Sequence, residues 1–373
     1  MEIPQPIIVD PRSLGCAEEL ALLPEARGVY LVSTPGSAPH LGWSINLRRR
    51  LTRLLVPSYT PQGSGFARYF EKAAAVACWP AGSRLEASLL LYRITRDHFP
   101  NDYLKRLRLR MPWFLALTSQ DPFPRLEIVN RPARRHGAAY GPFFSRDVAQ
   151  RYEQELLGLF QIRRCTETLV PELTHPGCIY GEMNQCLRPC QCAVSQDEYG
   201  SEAERLGDFL ASNGKTASAV LATARERAAA ELDFEQAAHL HKRLEKVAAA
   251  ASCRDAAIAQ FDQFNGVALA KGTVEGECRL WPMMQGCWQK PATFQVSTME
   301  PGARSLDREL REILTISLGT VAMEPAHRVE HLAVFSRWYY SSWRDGNWFP
   351  FRKLEELNYR RLVREISNMS RAC

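Results

Sequence analysis

The sequence predicts an α+β protein built from several compact units. Segments of strand length rich in β-branched and aromatic residues alternate with segments whose apolar residues recur at helical spacing. The chain has 373 residues, which exceeds one average domain, and its composition changes several times along its length. A hydrophobic content of 46% is sufficient for real cores.

The first predicted unit covers residues 20–103. "RGVYLVS" and "HLGWS" have the composition of strands and flank a turn rich in Gly, Pro and Ser. "INLRRRLTRLLV" carries apolar residues at helical spacing with arginines between them. "SRLEASLLLYRITRDHF" predicts an amphipathic helix capped by Ser83, with Glu86 in the capping-box position. These elements form a small α+β unit.

Four further units are predicted along the rest of the chain. The first combines strand-like segments, a helix from about Arg146 to Phe160 and a cysteine-rich loop. An Ala- and Glu-rich helical hairpin, an α+β domain without an assigned role, and a C-terminal helix follow. Their predicted bounds are, in order, 104–200, 201–252, 262–350 and 351–373.

Charge and targeting signals indicate a cytoplasmic, soluble protein with a polyanionic partner. The net charge is +6, and the basic runs "LRRRLTRLL", "LKRLRLRMP" and "RPARRH" all lie within the first 136 residues. The N-terminus lacks the basic and apolar regions of a signal peptide. No apolar run approaches the ~18 residues of a membrane span, so no membrane partner is expected.

A cluster of cysteines predicts a metal or iron–sulfur site. Four cysteines have the spacing C-x12-C-x7-C-x3-C within a loop rich in prolines and arginines, which suits a soft metal or a cluster. Zinc sites more often carry two C-x2-C pairs, but the spacing alone leaves zinc and [4Fe–4S] both open. The four predicted ligands are Cys165, Cys178, Cys186 and Cys190, with Cys192 as a fifth cysteine nearby.

Several of these motifs resemble one protein family. "YGPFFSRDVAQRYEQELLGLFQIRRC" followed by "CIYGEMNQCLRPC" resembles the cluster-binding segment of UvrC, the nuclease subunit of bacterial nucleotide excision repair. "ELDFEQAAHLHKRLEKV" is similar to the UVR hairpin of UvrB and UvrC. "LPEARGVYLVSTPGSAPHLGWSINLRRRL" is similar to the GIY-YIG nuclease core of UvrC and its shorter homologue Cho. The resemblance covers roughly residues 20–250.

The resemblance implies a cofactor and a partner. The four cysteines of the spacing would hold a [4Fe–4S] cluster, with Cys192 outside it. The hairpin would dock a UvrB-like protein through Phe234, Glu235 and Ala238, although an ordinary hairpin packed on its own protein stays open. The last ~110 residues show neither the acidic triad of the family's RNase H-like nuclease nor tandem helix–hairpin–helix elements, and they are closer to the tail of Cho-like proteins.

The resemblance also implies a degenerate nuclease site. Tyr30 matches the first family tyrosine, His40 replaces the second, and Arg48 matches the "NLR" arginine. Trp43 replaces a lysine, and Leu91 stands at the position of the metal-binding glutamate. Because leucine offers no oxygen to a hard cation, the domain is predicted to be inactive. Glu86 is no substitute, since five residues place it about 140° away around the helix.

The arginine-rich helix is predicted to contact DNA phosphates through Arg48, Arg49, Arg50 and Arg53, although a merely solvated face stays open. Trp43 is expected to fill the core rather than stack on a base. The leading function is a UvrC-like DNA-repair protein that binds DNA or UvrB. One alternative is an active Cho-like endonuclease that makes a single incision with Tyr30, His40, Arg48 and Mg²⁺ or Mn²⁺. Another is a cluster-bearing scaffold without a nucleic-acid role.

Overall fold

The computed structural model describes residues 3–13, 15–56, 72–295, 306–317 and 325–371. Those parts of the predicted units that fall on 57–71, 296–305 and 318–324 lie outside the described residues. The chain divides into two compact units. The first joins residues 1–110 to residues 265–373, and the second covers residues 111–264.

A four-stranded antiparallel sheet forms the N-terminal part of the first unit, with the strand order β1-β4-β2-β3. Four helices of the described residues belong to this part. The strands are β1 Ile7–Val9, β2 Arg27–Ser33, β3 His40–Ser44 and β4 Ala75–Ala81. The helices are α1 Cys16–Leu22, α2 Leu47–Leu55, α3 Arg84–His98 and α4 Tyr103–Leu107.

The two faces of this sheet pack against different helices. Side chains alternate along β2, so Tyr30 packs with Leu47 and Leu51 of α2, whereas Val29 packs with Leu90 of α3. The strand β3 lies at the edge of the sheet, where only β2 pairs with it among the described strands. Among the described strands, β1 and β3 are therefore the two edges of this sheet.

The C-terminal part of the first unit is a second antiparallel sheet with the order β11-β10-β9-β13, in which β12 also pairs with β10. Apolar side chains from these strands and from two of three helices form its core. The strands are β9 Asn265–Lys271, β10 Glu277–Met284, β11 Cys287–Trp288, β12 Ala292–Gln295 and β13 Gly346–Phe351. The helices are α10 Leu306–Ser317, α11 Pro325–Tyr339 and α12 Tyr359–Arg371.

Polar contacts join the two parts of the first unit. The buried carboxylate of Glu330 on α11 accepts hydrogen bonds from the hydroxyls of Tyr92 at 2.6 Å and Tyr103 at 2.8 Å. Arg27 forms an ion pair with Asp345. Because an unpaired buried carboxylate is costly, these contacts help hold residues 265–373 against the N-terminal sheet.

The second unit contains a sheet of order β6-β5-β7-β8 and five α-helices among the described residues. Its core is formed by apolar residues of the sheet and of α5, α7 and α9. The strands are β5 Trp113–Thr118, β6 Leu126–Val129, β7 His136–Phe143 and β8 Ala259–Gln260. The helices are α5 Arg146–Leu159, α6 Ile179–Glu182, α7 Gln196–Ser212, α8 Lys215–Ala230 and α9 Phe234–Ser252, together with the 3₁₀ turn Pro189–Gln191.

Helices and strands are mixed in both units, as the predicted α+β class requires. Ser83 caps α3 as predicted, because its hydroxyl accepts the backbone N–H of Glu86 at 3.1 Å. The prediction of a capping box at this helix start is wrong. The carboxylate of Glu86 instead accepts the N–H of Gly82 and pairs with Arg279. Among the described residues, no helix is long and apolar enough to cross a bilayer.

Candidate functional site

Tyr30 is buried at the centre of the nuclease-like sheet. Its side chain is 2% exposed, and its hydroxyl accepts a hydrogen bond from Arg50 Nε at 3.3 Å. Gly42 lies opposite Tyr30 on β3. A Cβ at Gly42 would lie 2.5 Å from the tyrosine hydroxyl, so this close approach requires glycine.

His40 lies beside Tyr30, with ring centroids 6.1 Å apart. Burial lowers the pKa of His40, and the nearby charge of Arg50 lowers it further. A neutral imidazole at neutral pH is the form that can accept a proton. The structure thus brings two of the predicted catalytic residues together.

Arg48, the third predicted catalytic residue, is bound to its own chain. Its Nε donates to the carbonyl of Leu23 at 2.6 Å, and its Nη1 pairs with Glu25 at 2.9 Å. Both contacts fix the start of α2. Arg49, Arg50 and Arg53 are exposed on the same helix, which places three of the four predicted DNA-binding arginines at the surface.

The two residues that are predicted to replace the family's lysine and glutamate, Trp43 and Leu91, lie at one cavity. A cavity of about 260 Å³ between β3 and α3 is lined by His40, Gly42, Trp43 and Leu91, among others. No acidic side chain of the described chain lines it. Glu86 is buried at 2% exposure and bound by Arg279, so its carboxylate is not directed to this cavity as a metal ligand.

Trp43 does not fill the core. The prediction that it would do so is wrong, because the side chain is 51% exposed. Trp43 belongs to the edge strand β3, on the sheet face that α3 covers only in part. A large aromatic side chain at the rim of a cavity is available to a ligand.

The four predicted cluster ligands all lie in the segment between α5 and α7. Burial raises the pKa of Cys186, the backbone N–H of Arg188 opposes this, and the charges of Cys165, Cys178 and Cys190 raise it further. Cys192 is exposed.

The backbone of this loop turns tightly around the cysteines. Asn184, Arg188 and Cys192 all adopt left-handed conformations, with φ of 54°, 56° and 53°. Backbone N–H groups point at two of the sulfurs, from Arg188 to Cys186 and from Gln191 to Cys190. Donors directed at thiolate sulfur stabilise its charged form, which is the form that binds metal.

A buried arginine supports the first cysteine. Arg163 is 2% exposed, and its guanidinium donates to the carbonyls of Phe123 at 2.8 Å, Cys165 at 3.0 Å and Glu167 at 3.1 Å. It also approaches Cys165 Sγ at 3.5 Å and pairs with Asp121. The guanidinium therefore fixes the backbone around Cys165 and places a positive charge beside its sulfur.

No group of three His, Cys, Asp or Glu side chains in the described part of the chain stands ready to hold a single metal ion. Two of the thiols, Cys186 and Cys190, nevertheless receive backbone N–H donors, and Arg163 lies beside the sulfur of a third, Cys165.

The predicted partner-binding residues lie at the tip of a helical hairpin. The helices α8 and α9 form this hairpin, and α7 precedes it, so the predicted range contains three helices rather than two. Phe234 is 68% exposed, and Glu235 and Ala238 are also exposed. Asp233 caps α9 by accepting the N–H of Gln236 at 3.0 Å. The ring of Phe234, at the first residue of a capped helix, is therefore exposed to solvent.

Sequence reasoning missed the contribution of the C-terminal part to the nuclease-like region. Arg337 of α11 lines the cavity that contains His40. A second cavity beside it is lined by Arg337 and Trp343 together with Trp43. The segment "SRWYYSSWRD" mixes basic and aromatic residues, and this interleaving was the available signal.

Comparison with known proteins finds UvrC-like sequences. The family described as "UvrC/Cho excinuclease, middle domain" matches residues 112–209. A UvrABC system protein C of Moorella thermoacetica is 26% identical over 264 residues, which cover 70% of this chain and 42% of the relative. The corresponding protein of a Chelativorans strain is 31% identical over 60% of this chain and 34% of its own length. The UvrABC system protein C of Oleidesulfovibrio alaskensis is 29% identical over 68% of this chain and 36% of its own length.

The chain is therefore UvrC-like, as its motifs predict. The alignments span 34–42% of the length of these relatives. The family match covers the cysteine loop and most of α7, which lie in the second unit. No solved structure matches the chain.

Proposed function

We propose that this protein acts in nucleotide excision repair by binding DNA and a UvrB-like protein, without cutting DNA through its GIY-YIG-like domain. One observation carries the proposal. The cavity beside His40 has Leu91 and Trp43 where a nuclease of this type needs a carboxylate and a lysine. The same cavity supports the alignment on which the prediction of inactivity depends, because Leu91 lies beside His40 and Gly42.

The chemistry of phosphodiester cleavage explains why these replacements matter. A divalent cation polarises the scissile phosphate and stabilises the charge that develops on it. Mg²⁺ and Mn²⁺ prefer oxygen ligands, and a leucine supplies none. Tyr30 and His40 stay adjacent, but His40 without a metal leaves the transition-state charge unstabilised.

Two surfaces are proposed to bind partners. Arg49 and Arg53 on α2 contact the phosphate backbone, which gives DNA binding without sequence readout. At the hairpin tip, Phe234 is the anchor for a UvrB-like protein, flanked by Glu235 and Ala238. Its 68% exposure supports this proposal over a hairpin packed on its own chain.

Cys165, Cys178, Cys186 and Cys190 are proposed to hold a [4Fe–4S] cluster, with zinc as the alternative. Either group would cross-link an irregular loop that has little regular structure of its own. Other residues of the loop would support the ligands. Arg163 fixes the Cys165 backbone, and the backbone N–H groups of Arg188 and Gln191 point at the sulfurs of Cys186 and Cys190. Iron and sulfide analysis with visible absorption separates the cluster from zinc.

The deciding experiment is nicking of a lesion-containing duplex by the purified full chain. Mg²⁺ or Mn²⁺ is supplied, with and without UvrA and UvrB, and Tyr30→Phe is measured in parallel. We expect no incision by either protein, together with retardation of the duplex or binding to UvrB.

Two other results would decide for a different function. Incision that the wild type performs and Tyr30→Phe lacks would establish the active Cho-like endonuclease. The adjacency of Tyr30 and His40 is the observation that favours this second candidate. A protein that neither cuts nor binds DNA or UvrB would instead be a scaffold, and the proposal would be abandoned.

A further inference from the structure

A second cavity lies on the other side of Trp43. It has a volume of about 160 Å³ and is formed between α3 and the C-terminal part of the first unit. Trp43 and Leu91 line it, as they line the cavity of His40. The two residues that are predicted to replace the family's lysine and glutamate thus line both cavities, and they supply apolar and aromatic surface to each.

The C-terminal part supplies the opposite wall. Val334 and Arg337 of α11 and Trp343 of the following loop line the cavity. Trp343 is held in place by Arg84, whose guanidinium carbon lies 5.0 Å from the ring centroid. Two indole rings therefore line one small cavity, and one of them is fixed by a cation–π contact.

Charge at this cavity is positive. Three arginines line it, namely Arg27, Arg84 and Arg337, and no acidic side chain of the described residues does. Arg27 forms an ion pair with Asp345, whereas Arg337 is exposed on α11. An aromatic cavity with a basic rim fits a flat ring system that carries a phosphate.

We propose that this cavity binds a single unpaired nucleobase of a DNA strand. The base stacks on the indoles of Trp43 and Trp343, and Arg337 contacts the adjoining phosphate. The volume of about 160 Å³ is below the roughly 300 Å³ at which drug-sized pockets begin, so one ring system fits and a dinucleotide does not. This inference rests on the proposed function, since it assigns a use to the site in which cleavage was lost.

A free nucleotide has the same chemistry as one unpaired nucleotide in a strand. The test therefore uses three probes with the full chain: a duplex with one bulged 2-aminopurine, the same duplex with the 2-aminopurine paired to thymine, and dAMP. Dissociation constants are measured at one fixed salt concentration, and 2-aminopurine fluorescence reports stacking.

The variants are Trp43→Ala, Trp343→Ala and Trp43→Phe, with Phe144→Ala as the matched control. Phe144 is another exposed aromatic residue, 64% exposed, in the second unit. We expect the wild type to bind the bulged duplex at least about fivefold more tightly than the paired one, the lower limit for one base–aromatic stack. Trp43→Ala and Trp343→Ala lose the preference for the bulged duplex and the quenching of 2-aminopurine fluorescence. Trp43→Phe and Phe144→Ala keep both.

Other outcomes overturn the inference in distinguishable ways. Equal affinity for the two duplexes, or a preference that survives in both alanine variants, refutes base capture and leaves the proposed DNA binding intact. Failure to bind either duplex refutes base capture together with the DNA-binding part of the proposed function. Quenching of tryptophan fluorescence by dAMP, without a preference between the duplexes, assigns the cavity to free nucleotides and refutes capture from a strand.

Discussion

Replacing Arg163 with methionine removes a buried cation on which the cysteine loop depends. Methionine fills a similar volume with a flexible apolar chain, so the change tests the guanidinium rather than the packing. In the wild type the guanidinium donates to three backbone carbonyls, those of Phe123, Cys165 and Glu167, and pairs with Asp121. None of these acceptors finds a donor in methionine.

The expected cost follows from that environment. Breaking a buried ion pair from one side costs about 3–5 kcal/mol, because the partner charge stays unpaired. Asp121 is 28% exposed and regains some water, which favours the lower part of that range. The carbonyls around Cys165 also lose their donor, at about 1–3 kcal/mol per unsatisfied buried group without simple additivity. We expect a loss of at least about 3 kcal/mol in the free energy of opening residues 161–192.

Hydrogen-exchange mass spectrometry measures this loss locally. A cost of 3 kcal/mol corresponds to faster exchange by at least about 100-fold in peptides from 161–192, since 1.36 kcal/mol is tenfold. Peptides from β2 and α3 in the first unit report whether the effect is local. Arg164→Met is the matched control, because Arg164 makes partly exposed contacts with Gln154 and Leu157. Equal acceleration in both variants, or less than tenfold in Arg163→Met, would refute the reasoning.

Three further perturbations have defined outcomes. Phe234→Ala weakens binding of a UvrB-like protein by about tenfold or more in calorimetry and changes the unfolding free energy by less than about 0.5 kcal/mol. The control Leu22→Ala, at another exposed apolar residue, changes neither the affinity nor the unfolding free energy. Arg49→Ala with Arg53→Ala reduces the slope of log K against log salt by up to about 1.8 for duplex DNA, and an unchanged slope contradicts phosphate contact. Burial, reinforced by Arg96, lowers the pKa of His331 to about 3. The unfolded imidazole binds a proton below pH 6.5 and the folded one does not, so the unfolding free energy falls by up to about 1.4 kcal/mol per unit as pH drops from 6.5 toward 3. His331→Asn should show a smaller decrease in acid titrations followed by circular dichroism, and an identical decrease argues against this assignment.

Local patterns in the sequence were sufficient for most elements of the first sheet and for the cysteine loop. Alternating apolar residues defined β2, and the hydroxyl of Ser83 fixed the start of α3, because both signals act within a few residues. His40 and Leu91, which the resemblance aligns with family site residues, both line one cavity, whereas their catalytic roles stay predictions. The exposure of Phe234 follows from its place at the turn between two helices.

Only the tertiary structure decided which distant segments complete these elements. The carboxylate of Glu86 is satisfied by Arg279, which is 193 residues away, and therefore does not close a capping box. Arg48 is held by Leu23 and Glu25, and Trp43 is exposed because β3 is an edge strand. Periodicity in the sequence determines which side of an element faces a core. It does not specify the remote partner, because hydrogen bonds and ion pairs between segments depend on how the chain returns in space.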